Sequence, residues 1–119
     1  MTEILNKNYD LEERTFKFTK QVIEFCKKLP RTVENIELIR QGIRASGSIG
    51  ANYIEANEAL SKKDFKMRIK ICRKESKESR YWIRLMVATN QLNDDGSKSL
   101  TQEATELIKI FNSILSKSK

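Results

Sequence analysis

Pro30 is the only proline in the chain, and the apolar residues on either side of it recur at helical spacing over runs too long for strands. Leu11, Thr15, Phe18, Val22, Phe25 and Leu29 step by 4, 3, 4, 3 and 4, a seam along one helix face. Proline disfavours helical geometry in the residue before it, so this first helix closes at Leu29 and spans about residues 10–29, with Asp10 as its expected cap. Thr32 caps a second helix over about 33–60, with Glu34 near its positive end and Ile36, Ile39, Ile43, Ile49, Ile54 and Leu60 as its apolar positions. Ser61 with Asp64 forms a variant capping box for a third helix over about 62–92. Asn93-Asp94-Asp95-Gly96-Ser97 reads as a solvated turn in which Gly96 takes a positive φ. Ser99 with Gln102 then caps a fourth helix over about 100–116, with its seam on Leu100, Ala104, Leu107, Phe111 and Ile114.

No stretch alternates as a strand does. Four amphipathic helices with short connections predict an all-α fold, an antiparallel up-down-up-down four-helix bundle with helices two and three longest. At 119 residues the chain is one domain, residues 1–119, large enough to bury a core without disulfides or metals. The middle of helix two is crowded with Ala45, Ser46, Gly47, Ser48, Gly50 and Ala51. Each mid-helix glycine costs about 1 kcal/mol relative to alanine, which close approach of another helix or subunit would offset. A phosphate-cradling loop does not fit, because the stretch lacks the lysine and the preceding strand.

Composition removes several chemistries. The chain has no histidine, which excludes His-dependent hydrolases and most zinc sites. Glu55 with Glu58 and Glu75 with Glu78 form two Glu-x-x-Glu pairs, but a di-iron bundle calls for Glu-x-x-His twice. Glu55 is expected to satisfy an arginine or an amide, with Arg44 and Asn52 as candidates, and the other three glutamates to be surface or interface charges. The acidic turn at Asn93–Ser97 has too few ligands for calcium. No nucleophile–base pair is visible. We therefore expect no enzyme activity, no catalytic residues, no metal and no cofactor. Cys26 and Cys72 fall among apolar helical positions, so buried free thiols in a reducing, cytoplasmic setting are expected. The N-terminus has no basic start followed by an apolar run, and no stretch is long enough to span a membrane.

The net charge is +7 and is not spread evenly. Residues 61–92 carry ten basic and three acidic side chains, a net charge equal to that of the whole chain. On a wheel of about 100° per residue, Lys62, Lys63, Lys66, Lys70, Arg73, Lys74, Lys77, Arg80 and Arg84 fall within an arc of about 120°. Only Arg68 lies elsewhere, and Asp64, Glu75 and Glu78 point to another side. Like charges at i, i+4 repel by a few tenths of a kcal/mol per pair. A solvated helix face usually alternates in sign. A single-sign stripe about 33 Å long therefore favours a polyanionic partner, RNA or DNA bound through its phosphates, over plain solvation. An acidic protein partner is the alternative. A membrane surface is not expected, since no large exposed aromatics border the arc. A second apolar line on the same helix, Met67, Ile71, Trp82 and Leu85, is either covered by a second neighbour in the monomer or buried in an oligomer.

Ile43-Arg44-Ala45-Ser46-Gly47-Ser48-Ile49-Gly50-Ala51-Asn52-Tyr53-Ile54-Glu55-Ala56 resembles the signature of a four-helix-bundle family first named for proteins encoded in intervening sequences of bacterial 23S ribosomal RNA genes. Ser61-Lys62-Lys63-Asp64-Phe65 and Arg73-Lys74-Glu75-Ser76-Lys77-Glu78-Ser79-Arg80-Tyr81-Trp82 extend the likeness, and Arg14-Thr15-Phe16 and Leu29-Pro30 fit the first helix and its turn. The resemblance implies a left-handed antiparallel bundle and a homopentamer with a central channel. It extends to the accessory variability protein of diversity-generating retroelements, which is basic, binds nucleic acid and partners a reverse transcriptase. It thus implies self-association, nucleic acid and a reverse transcriptase as candidate partners. No base-reading residue carries over, only the basic face of helix three.

Overall fold

Thr32, Ser61 and Asp94 set the starts of three of the four helices. Each has extended backbone and a side-chain oxygen accepting from the N–H three residues on, at Asn35, Asp64 and Ser97 respectively. The computed structural model describes residues 2–118, with side-chain environments from Asp10 onward. Its elements are α1 (Thr2–Lys27), α2 (Val33–Asn57), α3 (Lys62–Thr89) and α4 (Asp95–Lys117). α1 and α3 each pack against α2 and α4, while the diagonal pairs α1–α3 and α2–α4 meet through core side chains, Cys26 with Met86 and Tyr53 with Phe111. The result is an antiparallel bundle about a single core, with the most extensive seam between α2 and α3.

The boundaries differ from those read in the sequence in ways with local causes. α1 runs through Asp10 rather than starting there, because nothing between Thr2 and Asp10 breaks a helix. α2 ends at Asn57 and α3 at Thr89, each about a turn early. α4 is capped by Asp94 and not by Ser99, so it starts at Asp95. Asp94 accepts from the Ser97 N–H at 3.1 Å and from the Ser97 hydroxyl at 2.8 Å, which draws Asp95 and Gly96 into the first helical turn. Those bonds hold the Asp94 carboxyl below its ordinary range. Gly96 consequently has no positive φ; among the described residues that conformation falls to Gln91, at 54°. There the Leu92 N–H reaches the Val87 carbonyl at 3.0 Å and the Gln91 N–H reaches Ala88 at 3.3 Å, the paired closure that ends a helix on a left-handed residue.

The seams predicted for α1 and α4 face the core, but that of α2 does not. Of its six apolar positions only Ile49 is buried, and Ile36, Ile54 and Leu60 are exposed. Ala45, Tyr53 and Ala56 face the core in their place, because the small residues let α2 lie close on its neighbours. Phe18, Val22, Ile49, Ile69, Cys72, Ile83, Met86, Leu107 and Phe111 are fully buried. Tyr53 of α2 meets Phe111 of α4 across the centre, with ring centroids 6.3 Å apart. α1 lies close on α2: the Thr19 hydroxyl donates to the Ser46 carbonyl at 2.9 Å, and a Cβ at Gly50 would stand 3.1 Å from the Thr15 hydroxyl oxygen. The α1–α4 side is closed by Arg14, which holds Glu103 through two bonds of 2.7 and 2.9 Å. At the far end, Asn35 and Asn90 exchange amide bonds of 2.9 Å, and Asn35 also donates to the Pro30 carbonyl. This pair ties both inter-helix turns together. Cys26 and Cys72 are free and buried, and burial pushes their thiols up to about 11 and about 12. Neither is a reactive thiolate at neutral pH. No helix among the described residues is long and apolar enough to cross a membrane.

Candidate nucleic-acid interface

α3 sorts its charges by what faces it. Its buried side carries Ile69, Cys72, Ser76, Ser79, Ile83 and Met86. Next to that face, toward α2, Glu75 and Glu78 both meet Arg44, at 3.7 and 3.1 Å. Glu75 is almost wholly buried, and burial pushes its carboxyl above the usual range; Glu78 adds to the shift and Arg44 opposes it. The folded chain thus holds this proton more tightly than the unfolded chain. The group favours folding at pH below its unfolded value and opposes it as pH rises through the window up to its folded value. Arg68, the one basic residue off the stripe, also turns to α2. It reaches the Asn52 amide oxygen at 3.0 Å and Glu55 at 3.9 Å. Glu55 thus pairs with an arginine as expected, but with Arg68: Arg44 is taken by Glu75 and Glu78, and the Asn52 amide by Ser48 and Arg68.

With both glutamates turned to Arg44, the opposite side of α3 is left to cations. Lys62, Lys63, Lys70, Lys74, Lys77 and Arg84 are exposed, and Lys66, Arg73 and Arg80 are half-buried. Among the described residues, none of Lys63, Lys66, Lys70, Arg73, Lys74, Lys77, Arg80 and Arg84 forms an ion pair. The two half-buried arginines rest on α4 through neutral groups: Arg73 Nη1 donates to the Asn112 Oδ1 at 3.0 Å and Arg80 Nη1 to the Thr105 Oγ1 at 3.3 Å. The glutamates of α4 are engaged elsewhere, Glu103 with Arg14 of α1 and Glu106 with Lys109. Tyr81, 55% exposed, borders the stripe and meets Trp82 edge-on.

The second apolar line of α3 is split. Trp82 is half-buried against the core beside Gly42, whereas Met67 is 47% exposed, and Ile71 and Leu85 are half-buried. A further apolar surface lies on α1 and α2, where Phe16 and Ile54 are exposed; Ile36, farther along α2, is exposed as well, so these two apolar positions read for helix two face outward. Gly47 stands on that surface. A Cβ there would meet only the Thr19 Cγ2, at 4.0 Å, so nothing within the chain requires glycine.

The match to known proteins follows the same elements. The family model of the 23S rRNA-intervening sequence protein matches residues 7–113. The chain belongs to this family. A solved structure, that of a protein with unknown function from the S23 ribosomal protein family of Bacteroides thetaiotaomicron, is similar to it with a TM-score of 0.79 and 29% identity. The likeness covers 87% of this chain and 96% of the other. No curated protein matches the chain in sequence. The family name records where its genes were found and assigns no chemistry to the basic face of α3.

Proposed function

We propose that this chain is a non-enzymatic nucleic-acid-binding protein that holds RNA or DNA by its phosphates along α3. The observation that carries the reading is the unneutralised stripe: every glutamate of α3 is turned to Arg44, and seven or more cations share one face without an ion pair. Such an arrangement lowers the stability of the isolated helix and raises its affinity for a polyanion. α3 is flanked by α2 and α4, so only its outer arc is available, and contact with the backbone rather than base reading follows. Anisotropy of a fluorescent duplex over a salt series tests this. Affinity should fall with salt at a slope near −0.9 for each phosphate contacted on B-DNA. Absence of binding at about 50 mM salt, where such contacts are strong, would leave the face to an acidic protein.

The same reading includes self-association. Two different apolar surfaces reach solvent: Met67, with the half-buried Ile71 and Leu85, on α3, and Phe16 with Ile54 about Gly47. Unlike surfaces that meet head to tail build closed rings, in keeping with the pentamer that the family resemblance implies. Met67→Glu and Ile54→Glu should each give monomers by light scattering. A mixture of the two should give dimers, since one intact pair of surfaces remains. A monomeric wild type, or variants that keep the wild-type mass, would contradict it.

A further inference from the structure

We infer that the oriented phosphate seat lies on the seam between α3 and α4, built by Arg73 and Arg80 with Asn112 and Thr105, and that the lysines of the outer arc neutralise phosphates only as mobile point charges. This rests on the nucleic-acid reading above and specifies which groups fix the backbone in place. A guanidinium is a planar fork whose paired N–H groups match a phosphate in a bidentate way; an ammonium is a mobile point charge. Only Arg73, Arg80 and Arg84 on the stripe have that fork, and Arg73 and Arg80 are fixed.

Each spends one Nη1 hydrogen on α4, at Asn112 Oδ1 (3.0 Å) and Thr105 Oγ1 (3.3 Å). The anchors are an amide and a hydroxyl. They orient the fork without cancelling its charge, as a carboxylate would. The two arginines are seven residues apart, about 10 Å along the helix and on nearly the same side of it. Both are half-buried, which lessens the side-chain entropy lost when a ligand is bound. Lys70, Lys74 and Lys77 have no such anchor and stand exposed.

The test separates geometry from charge. The full chain is titrated against a labelled duplex of about 20 base pairs, longer than the stripe. Arg73→Lys with Arg80→Lys keeps every charge. It should weaken binding about tenfold and leave the salt slope unchanged, because the same number of counterions is released. Asn112→Ala with Thr105→Val frees the forks and should cost about threefold, again with no change in slope, while Thr105→Ser restores the hydroxyl and the wild-type affinity. Asn112→Asp places a carboxylate on Arg73 and should lower the slope by about one contact. Circular dichroism checks that each variant is folded. If wild type binds and the Arg→Lys pair binds equally well, the seat is elsewhere and this inference fails alone. If wild type binds no duplex, the nucleic-acid reading itself fails.

Discussion

Reversing Lys66, Lys70, Lys74 and Lys77 to glutamate should abolish measurable binding to nucleic acid, an affinity loss of about 100-fold or more at moderate salt, while the bundle stays folded. The reasoning has two halves. Four phosphate-directed cations become anions, so the salt slope should fall by about four contacts, and the remaining cations face repulsion as well. Stability should change little. Among the described residues none of these four lysines makes an ion pair, and the new carboxylates repel one another at i, i+4 as the lysines did, offset by new attraction to Arg73 and Arg80. A variant that melts like wild type and no longer shifts a labelled duplex fits this account. Retained affinity would show that the stripe is a solvated face.

Phe111→Ala should destabilise the bundle by about 3–5 kcal/mol, read from the denaturant midpoint with an unchanged slope. Phe111 is fully buried on α4 and meets Tyr53 of α2 across the core. Its removal opens a cavity that no neighbouring pair can close without moving a helix. Against a total stability of about 5–15 kcal/mol, such a loss leaves the chain marginal. Phe16→Ala is the contrast. Phe16 is 64% exposed in the single chain, so its loss should leave the monomer's stability nearly unchanged and appear instead in self-association. A small effect at Phe111 would mean that the core is not centred on that ring pair.

The helices were legible because their determinants are local. The 4, 3 spacing through Phe18 and Val22, through Leu107 and Phe111, and the caps at Thr32 and Ser61 each lie within a few residues of one another. Where two local signals compete, reading along the chain fails. Asp94 and Ser99 are both good caps, and Asp94 takes the role because Ser97 supplies it with two donors. Gly96 is the residue most suited to a positive φ in that turn, yet Gln91 adopts it, because the closure of α3 on Val87 and Ala88 falls there. Contacts between distant positions were out of reach. The Asn35–Asn90 pair joins residues 55 apart, and nothing in either local sequence announces it.

The site divides in the same way. The angular place of the nine basic residues follows from helical pitch alone, and the structure sets them on one side of α3 as the wheel does. What stands opposite them does not follow from pitch. The rotation and register of α2 and α4 against α3 decide that Arg44 takes Glu75 and Glu78, that Arg68 takes Glu55, and that Asn112 and Thr105 underlie Arg73 and Arg80. Those pairings leave Lys63, Lys66, Lys70, Arg73, Lys74, Lys77, Arg80 and Arg84 without an ion pair among the described residues.

The account rests on which face meets nucleic acid, and acetylation footprinting of the lysines by mass spectrometry, with and without a bound duplex, measures that directly. Lys66, Lys70, Lys74 and Lys77 should be protected, while Lys17 and Lys20, exposed on α1, should react as in the free protein. Equal reactivity of the α3 lysines in the two states, or protection centred on α1, would contradict it.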